Sequence, residues 1–131
     1  MLSRSDEMAE TANRPLKVVR NGDITIVICG SALRNANQLE GVSRQLLEIA
    51  EAAVPPWMIV DLAATEYFGA SFIEVLLRVW KRIRARDGAK LAVGGLQQYC
   101  REVLEITQVD RMIPLFTTRE EAVAALPAPA C

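Results

Sequence analysis

The chain has 131 residues, about half of them apolar and a quarter charged; this is the size of one domain and excludes the polar, highly charged composition of a disordered segment. Fifteen basic residues nearly cancel sixteen acidic ones, so no global field draws the molecule to nucleic acid or to an anionic membrane. Histidine is absent, and Cys29, Cys100 and Cys131 are too far apart for any CxxC spacing, which argues against a metal centre, a disulfide framework and every nucleophile that depends on imidazole.

Residues 1–14 are polar and aperiodic and end at Pro15, the pattern of a flexible N-terminal arm. They lack the apolar stretch of a signal peptide, and no apolar run approaches the roughly 20 residues that span a bilayer, so a cytoplasmic location is expected. "PLKVVRNGDITIVICG" holds two β-branched runs separated by Asn21 and Gly22, a hairpin signal. "NANQLEGVSRQLLEIAEAAVPP" spaces Leu39, Val42, Leu46, Ile49 and Ala53 as one helical face, with Asn37 and Glu40 as a capping pair and two prolines as the stop. "WMIVDLAA" is a short continuous apolar run, as expected of a strand buried on both faces.

From Ser71 to Arg86 the residues Phe72, Val75, Leu76, Val79 and Ile83 share one face and predict a second helix, followed by Gly88. "AKLAVGG" predicts a strand, "LQQYCREVLEIT" a helix, "MIPLF" a short strand, and "TREEAVAAL" a last helix with a Thr118 and Glu121 capping box. "PAPAC", residues 127–131, is a tail. The sum is an α/β sandwich over residues 15–126, with an initial hairpin, a mixed and largely parallel sheet of about five strands, and about four helices.

Several residues carry two readings. Ser71 and Glu74 have the S-x-x-E spacing of a capping box, in which the hydroxyl accepts from a free helical N–H and the carboxylate reaches back. Ile73, Leu77 and Trp80 widen the apolar arc of the second helix; either neighbouring elements cover both arcs or Ile73, next to the loop, meets a partner. "RVWKRIRAR" reads as a solvated helix face with its cations near the C-terminus rather than a nucleic-acid surface. Asp61 and Glu66 are carboxylates near the loop without further ligands at metal spacing, and Asp61 at a strand end most simply bonds nearby backbone. Gly94 and Gly95 form a tight connection, with a phosphate cradle as the second reading.

The order of these elements, with "MIVDLAATEYF", "GASFIEVLLRVWKRIRARDGAKLAV" and "LEITQVDRMIPLFTTREEAVAAL", resembles the STAS domain family, the fold of bacterial anti-sigma factor antagonists. In that family the loop before the second helix typically reads Asp-Ser-Ser/Thr-Gly, and its hydroxyl is phosphorylated by a kinase that doubles as the anti-sigma factor. Gly69, Ala70, Ser71 and Phe72 occupy those places here, so the acid, the first hydroxyl and the glycine are replaced and Ser71 alone keeps its chemistry. The resemblance implies a regulatory domain without catalytic residues, metal or cofactor. Its partner would be an anti-sigma factor or serine kinase, or another subunit of a STAS complex. Ser71 is the phospho-acceptor candidate, with Gly69, Ala70, Phe72, Ile73 and Glu74 as partner contacts. Two alternatives stand beside it: a scaffold subunit that assembles without phosphorylation, and a small-ligand or nucleotide sensor built on the Gly94 turn and the Ser71 helix start.

Overall fold

In the first hairpin, β1 (Leu16–Asn21) and β2 (Ile24–Cys29) pair antiparallel with Asn21 opposite Ile24. Of the two turn residues only Gly22 takes a positive φ, +60°, the pattern of a type II′ turn, whose twist matches that of the strands. The computed structural model describes residues 16–30, 36–65 and 68–126. The N-terminal arm, the C-terminal tail, Glu66 and the side chain of Asn37 lie outside them.

Helix α1 (Ala36–Ala52) leads to β3 (Trp57–Asp61), α2 (Ala70–Arg84) to β4 (Lys90–Gly94), and α3 (Gln98–Ile106) through a short 3-10 turn to α4 (Arg119–Ala125). The strands lie in the order β1-β2-β3-β4, with β2, β3 and β4 parallel. Alternate strand residues serve two cores. Val27, Cys29, Met58, Val60, Leu91 and Val93 pack under α1, α2 and α3, whereas Ile24, Ile26, Ile59 and Ala92 pack under Ala122 and Leu126. Burial on both faces is why β3 and β4 read as unbroken apolar runs.

The expected fifth strand contributes only a bridge between Leu115 and Val93. Its physical cause is Pro114, which has no N–H to extend a ladder in that direction. The expected box at the last helix is formed: Glu121 N–H donates to Thr118 Oγ1 at 3.1 Å and Thr118 N–H to Glu121 Oε1 at 3.2 Å. The cations after Val79 are spread over the surface. Arg82 pairs with Glu51, Arg84 lies 4.4 Å over the Trp80 ring, and Arg86 donates to Ala50 O.

Candidate functional site

The candidate surface is the loop that leaves the C-terminal end of β3 and the first turn of α2. Asp61, almost fully buried, ends the strand; it accepts from Ala63 N–H at 2.9 Å and pairs with Arg119 Nε at 2.9 Å. Leu62 N–H donates to Gly94 O, and the Gln97 side chain donates to Ala63 O. Thr65 is buried and donates its hydroxyl to Gly30 O at 2.9 Å, while the Cys100 thiol donates to Thr65 O. These ties fasten the loop to the ends of β2 and β4 and to the starts of α3 and α4. The rings of Phe68 and Phe72 meet in the core with centroids 5.1 Å apart.

Two thiols lie beneath the loop. Burial, and then the nearby Asp61 carboxylate, pushes Cys29 from an ordinary 9.0 up to about 12. Burial also raises Cys100. Both therefore stay protonated and unreactive at neutral pH.

Gly69 is the N-cap of α2, extended at φ −103° and ψ −175°, and no side chain caps the helix. Ser71 is the second helical residue and forms no box with Glu74. Ala70, with the highest helix propensity, carries the helix back past the serine to Gly69. Ala70, Ser71 and Glu74 are exposed, Gly69 and Ile73 half-buried. Phe72 is fully buried and faces the sheet rather than a partner. Spacing explains this: Phe72 lies on the same helical stripe as Val75, Leu76, Val79 and Ile83, all buried. Ile73, Leu77 and Trp80 are partly buried against the same core.

Gly94 and Gly95 are taken up by packing. A Cβ at Gly94 would stand 3.2 Å from Arg119 Cα, and one at Gly95 2.5 Å from Asp61 Oδ1, so close packing of the turn against Asp61 and the start of α4 calls for glycine at both positions. Glu66, the second carboxylate of the loop, lies outside the described residues.

Phe68, Thr65 and the Asp61–Arg119 pair position this surface and were not singled out as positioning groups by the sequence. A polar threonine just beyond an apolar strand is the signal that marks Thr65. For Arg119, more than fifty residues from its partner, spacing carries none.

This loop, between a buried parallel strand and a helix on a four-stranded mixed sheet, coincides with a family match: the model of the STAS domain matches residues 15–122. The chain belongs to the STAS domain family. Among solved STAS structures, an anti-sigma-factor antagonist domain protein from Planctomyces limnophilus shares 30% identity over 86% of this chain and 98% of its own, with a TM-score of 0.78. An anti-sigma factor antagonist from Mycobacterium paratuberculosis shares 19% over 86% of this chain and 93% of its own, at 0.71. The phosphorylated form of the Bacillus cell fate determinant SpoIIAA shares 10% over 83% and 96%, at 0.61; at such identities these two show the STAS fold alone. Comparison with curated proteins returns no match. No helix among the described residues is long and apolar enough to cross a membrane.

Proposed function

We propose that this STAS domain is a non-enzymatic cytoplasmic regulator that binds a kinase-type anti-sigma partner through Gly69, Ala70, Ser71, Ile73 and Glu74, and that phosphorylation of Ser71 releases the partner. The observation that carries the reading is Ser71 itself: an exposed hydroxyl in the first turn of α2, with no side-chain cap and no acidic residue in that turn. A phosphate there adds about two negative charges beside free N–H groups and the positive end of the helix, so the fold accepts it. The partner face would instead have to desolvate a dianion, with Glu74 one turn on adding to the negative charge. Support also comes from the Planctomyces limnophilus structure at 30% identity, which is named as an anti-sigma-factor antagonist domain protein.

Incubation with the purified kinase-type partner of the same genome and ATP tests this. One phosphate by intact mass, located to Ser71 and lost in Ser71→Ala, is the expected result; absence of both transfer and binding contradicts it. A second reading, assembly into a signalling complex without phosphorylation, draws on Phe72, which stands where the family pattern has glycine and is locked in the core. In that case Ser71→Asp leaves assembly unchanged.

A further inference from the structure

The other end of α2 borders a different feature. In β4, Lys90 N–H donates to Pro56 O and Gly94 O accepts from Leu62 N–H, both at 2.9 Å, so residues 90, 92 and 94 turn their backbone toward β3 and residues 91 and 93 turn outward. Val93 is satisfied: its N–H donates to Pro114 O at 3.0 Å and its carbonyl accepts from Phe116 N–H at 2.8 Å. One step earlier the ladder stops, because a bond to the Leu91 carbonyl would require an N–H at Pro114. Among the described residues the N–H and C=O of Leu91 have no backbone partner.

This open edge lies in a groove of about 360 Å³. Trp80 and Ile83 of α2 wall it on one face of the sheet, Phe116 and Leu126 on the other, and Met112 and Pro114 also line it. Lys90 Nζ donates to Leu126 O at 2.7 Å and ties the end of α4 to the strand. Arg84 lines the groove with its guanidinium stacked on Trp80, and no carboxylate pairs with it among the described residues.

We propose that this groove docks an extended peptide segment of a partner protein, which adds to β4 as a fifth strand and carries an acidic side chain to Arg84. An unpaired donor and acceptor on one strand residue call for another backbone. Apolar walls on both faces of the sheet suit side chains that alternate along an extended chain, and the exposed cation selects a carboxylate. An acyl carboxylate would fill the walls and meet Arg84 but has no N–H for the Leu91 carbonyl. Arg84 stands about 20 Å along α2 from Ser71 at 1.5 Å per residue, so the groove and the phospho-acceptor surface are separate sites.

The probe is a displayed pool of randomised peptides of about ten residues, selected against the full chain and then synthesised for hydrogen exchange at the Leu91 amide. Enriched sequences are expected to alternate apolar residues around an acid and to slow Leu91 exchange by about tenfold or more. Arg84→Glu lowers affinity about tenfold. Ala125→Trp, a substitution at an exposed groove residue, blocks binding without changing the melting temperature, and Ser71→Asp leaves peptide affinity unchanged. The proposal is overturned by a selection that enriches nothing, by peptides that bind without slowing Leu91, by decanoate displacing them from the Arg84→Glu variant as well as from the parent, or by a groove that binds peptide only after residues 127–131 are removed.

Discussion

Thr118 caps its helix and Ser71 does not, although each stands three residues before a glutamate. The S-x-x-E spacing is satisfied by both; which residue becomes the cap depends on where the preceding chain leaves extended geometry, and Ala70 moves that point back to Gly69. Thr118→Ala is therefore expected to cost about 1 kcal/mol in urea unfolding, the ordinary loss of a cap. Ser71→Ala should stay within about 0.5 kcal/mol of the parent, as exposed substitutions away from special contacts do. A Cβ at Gly69 meets nothing within 4 Å, so Gly69→Asp fits the N-cap and is expected to stabilise by a few tenths of a kcal/mol. Gly95→Ala should do the opposite, because φ is +72° there and the added carbon collides with Asp61.

The elements around the loop depend on groups from helices and strands alike. Phe72 anchors the start of α2 in the core, and Phe72→Ala is expected to cost about 3–5 kcal/mol, the range for a buried aromatic truncated to a methyl; a cost below about 1 kcal/mol in urea unfolding would contradict its placement. The end of β2 has a pH signature. The Cys29 thiol ionises near its ordinary 9.0 in the unfolded chain and only near about 12 in the folded one, so the unfolded state loses its proton first. The stability this thiol contributes is complete below about pH 9 and is lost as the pH rises toward about 12. Thermal melts across that window should fall more steeply for the parent than for Cys29→Ala; parallel slopes would show that Cys29 titrates alike in both states.

Over the whole molecule, local pattern and long-range packing were legible to different degrees. Hairpin, central strand and helices follow from periodicity and turn residues, because burial on two faces gives β3 and β4 continuous apolar runs and burial on one gives α2 its stripe. The single bridge in place of a fifth strand follows from one missing N–H at Pro114, legible only once Val93 is known to face that edge. For the loop, sequence placed Ser71 at the helix start but not its role there, and the same stripe that made the helix legible takes Phe72 out of the surface. Among the described residues, Ala70, Ser71 and Glu74 are the exposed positions at the start of α2, with half-buried Gly69 and Ile73 beside them, on a loop fastened from below by Thr65, Phe68 and Asp61. Calorimetric binding of the kinase-type anti-sigma partner to the parent, Ser71→Ala and Ser71→Asp tests the account most directly. Equal affinity for parent and Ser71→Ala, with a loss of about tenfold or more for Ser71→Asp, is the expected result; three equal affinities, or no binding by the parent, would contradict it.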